Sequence, residues 1–304
     1  MRLMLCTALA TASLAFAAPA FADPDWKAVA QALGKAGTVQ AGGVYRVGLP
    51  RSDLKVRLDE VEIKPALALG SWLAFQPIGD KDAMVMGDLV LTHEEVNPVM
   101  KVLAENGIEV TALHNHLLRS EPATMYMHVG GHGDAVKLAT ALREAVGQSR
   151  TPLDPLPPPS AEPRTATDSA DQKLELDTVT IDQALGRKGK VNGGVYQVSI
   201  PRTDIITDGG MEVPEALGSA IAINFQPTGG GKAAITGDFV LTADEVNPVI
   251  RTLRANGIEV TALHNHMLKD EPRLFFLHFW ANTDVSELAK GLKAALAHVK
   301  VARG

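Results

Sequence analysis

Six of the chain's 9 histidines fall into two copies of one pattern. His114, His116 and His128 make the first copy; His264, His266 and His278 make the second, each 150 positions further on. Side chains two apart on extended backbone share a face, so each His-x-His pair projects two imidazoles the same way. Neutral imidazole is the commonest metal ligand among side chains. A carboxylate follows each pair: Glu121 in Arg119-Ser120-Glu121-Pro122, and Glu271 in Lys269-Asp270-Glu271-Pro272. Three imidazoles and one carboxylate suit zinc, iron, manganese, nickel or oxidised copper. The expected ligand sets for a divalent metal ion are therefore His264, His266, Glu271 and His278, and, in the first copy, His114, His116, Glu121 and His128.

Register decides whether the third imidazole joins the other two. A turn centred between Lys269 and Asp270 sets His278 opposite Thr261, on the face away from His264. A shift of one residue reverses this. Two other readings stay open. The rings can each be hydrogen-bonded to a backbone carbonyl as a structural cluster, or they can line a metal-free substrate site. Asp88 and Asp238, each after a glycine, suit turns, and with a metal present they suit a partner role behind a ligating histidine. The second copy carries Arg273, Phe275 and Trp280, residues able to wall a pocket and meet an anion, where the first has Ala123, Met125 and Gly130. That makes the second copy the expected working site and the first the expected degenerate one. Arg202 either binds an anion or closes a local pair with Asp204. Tyr45 and Tyr196 read as core aromatics with hydrated hydroxyls, Gln76 and Gln226 as strand ends, and His93 and His298 as surface residues.

The repeat extends far beyond the histidines. Asn106 to His116 is identical to Asn256 to His266. Gly42 to Asp53 returns as Gly193 to Asp204 with few changes, Phe75-Gln76-Pro77 as Phe225-Gln226-Pro227, and Glu95 to Val99 as Glu245 to Val249. A period this long is a duplicated domain and not a solenoid. Between the copies, residues 151 to 173 hold six prolines among small polar residues, the composition of an extended linker.

Each copy reads as α+β, an antiparallel sheet covered by helices, and the two are expected to pack about a pseudo-twofold axis. A helix opens each, near Asp25 to Leu33 and Ile181 to Leu185. Strands are expected at Gly43 to Leu49, Glu60 to Ile63, Ser71 to Gln76 and Ala83 to Leu91. Thr92 with Glu95, and Thr242 with Glu245, have capping-box spacing; Asn97-Pro98 is an alternative helix start. Gly107 and Gly257 close that helix. Strands at Glu109 to His116 and Thr124 to Val129 follow, then a helix from Asp134 to Val146, repeated from Asp284 to about Val299.

The N-terminus has one positive charge, an apolar run from Leu3 to Ala17 and Ala20-Phe21-Ala22, the pattern of a secretory signal peptide cleaved after Ala22. The expected organisation is a signal peptide at 1–22, a first domain at 23–148, a linker at 149–174 and a second domain at 175–304. The expected location is the periplasm or outside the cell, with no membrane span. The one cysteine, Cys6, leaves with the signal, so no thiolate is available to a metal. The formal charge of -6 becomes -6 - 1 = -7 once Arg2 is lost. An acidic chain without a basic face argues against nucleic acid as a partner, leaving a metal ion or small molecule.

The segment Asn-Gly-Ile-Glu-Val-Thr-Ala-Leu-His-Asn-His, followed by Glu-Pro and, in the second copy, Leu277-His278-Phe279-Trp280, resembles the LppY/LpqO family, a domain of unknown function in putative exported lipoproteins. The likeness covers both copies as a tandem pair and omits the linker. It implies an exported protein and no assigned catalytic residues. Cys6 lies too early in the apolar run for acylation, a departure from the lipoprotein pattern. Metal binding rests on the residues alone. The functions that follow are an exported metal-binding protein, a metal-dependent enzyme acting on a small molecule, or a cell-envelope scaffold with a structural histidine cluster.

Overall fold

The computed structural model describes residues 24–153 and 174–302. The expected signal segment and most of the expected linker lie outside the described residues. The first half runs α1 (Trp26–Leu33), β1 (Thr38–Val39), β2 (Tyr45–Pro50), β3 (Arg57–Leu58), β4 (Val61–Glu62), α2 (Pro65–Ala68), β5 (Gly70–Pro77), β6 (Asp82–Thr92), α3 (His93–Glu105), β7 (Glu109–His114), β8 (Ser120–Glu121), β9 (Thr124–Asp134) and α4 (Ala135–Val146). The second runs α5 (Thr178–Leu185), β10 (Lys190–Asn192), β11 (Val195–Ile200), β12 (Thr207–Asp208), β13 (Met211–Glu212), β14 (Ile221–Gly229), β15 (Lys232–Leu241), α6 (Ala243–Ala255), β16 (Glu259–His264), β17 (Asp270–Glu271), β18 (Phe275–Asp284) and α7 (Val285–Leu296).

Each half is an α+β unit built on a six-stranded antiparallel sheet, in the order β1-β2-β5-β6-β9-β7 and its repeat β10-β11-β14-β15-β18-β16. Strand alternation divides the side chains between two faces. In β6, Val85, Leu89 and Leu91 pack with Leu138, Leu142 and Val146 of α4, whereas Met84 and Met86 join the core of the second half. One face of the first sheet is thus covered by its own helices and the other by the opposite half. Val195, Ala234 and Trp280 reciprocate by packing with Val56, Leu58 and Leu67. Hydrogen bonds cross the same seam: Gln226 accepts from Lys64 N at 2.9 Å and donates to Glu62 O at 2.8 Å, and Arg46 donates to Ala216 O at 2.6 Å. Gln226 therefore does more than end a strand. Arg46 also lies 3.9 Å above the ring of Trp72.

Helix boundaries follow local chemistry. Glu95 Oε2 accepts from Thr92 N at 2.9 Å and Glu245 Oε2 from Thr242 N at 2.8 Å, the capping-box arm of α3 and α6. Pro98 lies inside α3, so the alternative start at Asn97 is not used. The left-handed residues Gly107 and Gly257, both at φ 73°, let the chain leave each helix without a Cβ clash.

The capping glutamates are also the centre of a buried ion network. Arg202, which is fully enclosed, donates to Glu245 at 2.7 and 3.2 Å, to Asp204 at 2.6 and 3.2 Å and to Val240 O at 2.8 Å. Arg51 repeats these bonds with Glu95, Asp53 and Val90. Arg202 is consumed internally and is no anion site. Tyr45 and Tyr196 are buried, their hydroxyls accepting from Gly37 N and Gly189 N and that of Tyr196 also donating to Asp182, so protein partners replace the hydration expected of them.

Burial by itself raises the Glu245 carboxyl, but bonds from Arg202, Thr242 N and Lys300 N outweigh it and hold the group below its ordinary range. A depressed carboxylate stabilises the fold above its unfolded value, about 4.3 for glutamate, and loses that contribution as pH falls through the folded value. Arg202→Leu strands Glu245 in the interior and is expected to cost about 3–5 kcal/mol, against under about 1 kcal/mol for Arg119→Ala at the exposed pair with Asp59. Urea melts at neutral pH measure both. Glu245→Gln is expected to flatten the loss of stability between roughly pH 5 and pH 3.

Candidate metal centre

The two His-x-His segments meet at the seam between the halves. Edge strands β7 and β16 carry the first histidine of each pair and end there, at His114 and His264. His116 and His266 sit just beyond the strand ends, a correction to the expectation that each pair shares one strand face. The third histidines, His128 and His278, lie mid-strand in β9 and β18.

Register is settled by a bulge. Val260 pairs with Phe279, but Ala262 pairs with His278, so Thr261 is an extra residue. Thr111 is the extra residue in the first half, between Val110 and Ala112. With straight pairing His264 would oppose Phe275; the bulge moves it to Phe276, the face that His278 shares. The bulged threonines also reach across the seam. Thr111 Oγ1 donates to His266 O and Thr261 Oγ1 to His116 O, each at 2.6 Å.

All six imidazoles are brought together in three close pairs that each take one ring from either half, two of them stacked and the third, His116 with His278, tilted by 32°. Ring centroids are 3.4 Å apart for His114 and His264, 3.6 Å for His116 and His278, and 3.7 Å for His128 and His266. His116 stacks on Tyr126 and His266 on Phe276, both at 3.4 Å. Asp88 and Asp238 enter from β6 and β15, directly opposite His128 and His278 in the register. They are mid-strand and not in turns, Asp88 buried and Asp238 partly buried. The glycine before each has a packing reason: a Cβ at Gly87 would fall 2.7 Å from Trp72 O. His266 Nε2 lies 3.2 Å from Asp238 Oδ2, and His116 Nε2 lies 3.8 Å from Asp88 Oδ2.

Glu121 and Glu271 do not join. Each is exposed in a short strand of a separate three-stranded sheet, opposite Arg57 or Thr207. Neither belongs to a group of side chains whose donor atoms converge, whereas Asp88 does. Arg273 is paired with Asp270 at 2.7 Å. Trp280 is buried at the seam and lines a cavity with Asp59, Glu60 and Glu259, without Phe275. His93 and His298 are exposed, as expected. Each copy places three histidines and one aspartate at the seam. Sequence reasoning missed the exchange between halves and the placement of the aspartates; the repeated Gly-Asp pair was the available signal for the latter.

Four sets of three donors, each within 4.8 Å of one another, arise here: His114, His128 and His264; His114, His116 and His278; His264, His266 and His278; Asp88, His116 and His128. Protein hydrogen bonds leave most of these donors unused. His278 Nδ1–H donates to Gly237 O at 2.7 Å, which fixes its tautomer and turns the Nε2 lone pair toward His114 Nε2, 3.3 Å away. Without partners are His114 Nδ1, His116 Nε2, His128 Nε2, His266 Nε2, both nitrogens of His264, and one oxygen each of Asp88 and Asp238. Elsewhere among the described residues such atoms are confined to Trp26, Gln76 and Arg187. A buried polar atom without a partner costs about 1–3 kcal/mol, so their concentration at one seam needs a reason.

Burial, reinforced by neighbouring imidazoles, holds the rings below the ordinary histidine range, with His114 lowered to about 2. His266 and His278 are lowered by burial against opposing carboxylates. The rings are thus neutral at pH 7. Burial raises both aspartates, Asp238 to about 6; at Asp88 the charge of Asp238 adds to burial and Arg46 opposes it. Thr261→Val, which keeps the shape and removes the hydroxyl, leaves His116 O without its donor. It is expected to cost about 1–3 kcal/mol in urea unfolding, and Thr111→Val the same.

No curated protein matches the chain. Among solved structures, similarity was found to a trimeric bacterial microcompartment shell protein, PduB (10% identity over 88% of this chain and 96% of that one, TM-score 0.24), and to EtuB from Clostridium kluyveri (8% identity over 86% and 88%, TM-score 0.19). Likeness at this level says nothing about the fold or activity here. A family model described as Domain of Unknown Function (DUF1259) matches residues 27–148 and again residues 179–298. Both halves of the seam are therefore copies of one domain, and the chain belongs to the family Domain of Unknown Function (DUF1259).

Proposed function

We propose that this protein binds a divalent transition metal ion at the seam between its halves, through the six imidazoles with Asp88 and Asp238. The observation that carries the reading is the convergence of neutral imidazoles, five of which have a buried ring nitrogen without a hydrogen-bond partner. Oxygen and imidazole donors without a thiolate suit zinc, copper, nickel or iron above calcium or magnesium. The His278 Nδ1–H bond to Gly237 O is the support a ligating histidine usually has behind it. His266 Nε2 and Asp238 Oδ2, 3.2 Å apart without hydrogen-bond geometry, have the spacing of two ligands: donors about 2.0–2.1 Å from a tetrahedral ion lie roughly 3.3 Å apart. A structural cluster held by hydrogen bonds would show more of them: the six rings make one to backbone, from His278, and one to each other, between His114 and His278.

The signal-like N-terminus supports an exported, periplasmic or secreted protein cleaved after Ala22, with domains at 23–148 and 175–304 joined by the Pro-rich linker. The likeness of the His-x-His segment to the LppY/LpqO family agrees with export. Storage, buffering or sensing of the metal suits such a protein.

Metal analysis of protein purified without chelator tests the binding. The wild type is expected to carry stoichiometric metal and His114→Ala/His264→Ala to lose it, while Glu121→Ala/Glu271→Ala keeps it. Equal trace metal in wild type and the histidine variant would sink the proposal. Zinc at 100 times its dissociation constant should stabilise the chelator-stripped protein by about 2.7 kcal/mol, read as a rise in Tm of several degrees that EDTA reverses. Mass measurement of the exported chain should show Asp23 at its N-terminus.

A further inference from the structure

We infer that the seam holds two metal ions side by side, not one. This rests on the metal-binding reading and goes beyond it in the number and arrangement of ions. Of the four convergent sets, Asp88, His116 and His128 share no member with His264, His266 and His278. Each set draws on one half only. Asp238 stands 3.2 Å from His266 and 3.8 Å from His278, beside the second set. His114 lies between the two, within convergent sets that reach His116 and His128 on one side and His264 and His278 on the other.

Counting the donors decides against a single ion. First-row ions at imidazole and carboxylate sites take four to six ligands. Seven side chains fall in the convergent sets, six imidazoles and Asp88, and Asp238 stands beside them as an eighth donor, 3.2 Å from His266. One ion would leave at least two buried donors unpartnered, whereas two four-coordinate ions use all eight. Ring orientation agrees. A ligating lone pair lies in the imidazole plane, so rings stacked face to face, His114 on His264 at 3.4 Å and His128 on His266 at 3.7 Å, send their lone pairs along side-by-side lines. Such pairs serve neighbouring ions better than a common one. Charge agrees as well. The Asp88 and Asp238 carboxylates repel each other across the seam, with the Arg46 guanidinium acting on Asp88; Gln197 occupies the matching place in the second half. Cations at both centres remove the repulsion between Asp88 and Asp238.

The full chain, stripped with chelator and titrated with Zn2+ under native mass spectrometry, is expected to take up two ions. His116→Ala/His128→Ala and His266→Ala/His278→Ala are each expected to retain one. With Cu2+ in place of zinc, electron paramagnetic resonance of the wild type at two ions per chain should show a magnetically coupled pair. A plateau at one Zn2+ overturns this inference and leaves the binding proposal standing; no uptake overturns both. Two ions retained by both double variants, or two uncoupled Cu2+ signals, also overturn it, because the ions then lie elsewhere. The Cu2+ measurement needs no variant, so it decides the question even if a variant fails to fold.

Discussion

One extra residue in each edge strand governs the seam. Strand pairing admits only two faces, and a half-step of register decides which face a side chain takes. Thr111 and Thr261 supply that half-step. Without it, His114 and His264 would turn toward the helices and leave His128 and His278 behind. The same residues then spend their hydroxyls on carbonyls of the opposite half. Register within each half and docking between halves are therefore set at one position, and the imidazoles stay where both are satisfied.

The cluster also depends on a division of electrostatic labour. The interior accepts full charges only where they are closely paired, and it does so away from the histidine cluster, at Arg51 with Glu95 and at Arg202 with Glu245. Those networks lock the sheet ends to α3 and α6. The seam instead gathers imidazoles that burial keeps neutral. Imidazoles crowded this closely could not all be protonated, so their neutrality is a condition of the packing and not a by-product of it.

Much of this was legible in the chain. The α+β class, the duplication, the glycine helix ends and the capping boxes follow from local spacing, and the structure has them. The gathering of the three histidines of each copy was legible in part: two positions apart meant proximity, although His116 and His266 reach it from beyond the strand. What could not be read was long-range. A bulge leaves no mark in residue order, since Thr111 reads like any strand threonine. Glu121 and Glu271 are near the histidines in sequence but are carried off by a second small sheet. Asp88 and Asp238 are some forty residues from the third histidines and come opposite them only through strand pairing.

The wide residues at the seam are not matched by equals. Trp72 stands against Gly218 of the other half, and its own counterpart is Ala222; Trp280 corresponds to Gly130. Two separate identical subunits meeting on a dyad could not arrange this, because every bulky side chain would arrive twice and need two hollows. Joining both copies in one polypeptide lifts that restriction. Knob and socket can be assigned to opposite partners, fixing which copy sits on which side and leaving each free to drift in its own direction while the shared centre stays whole.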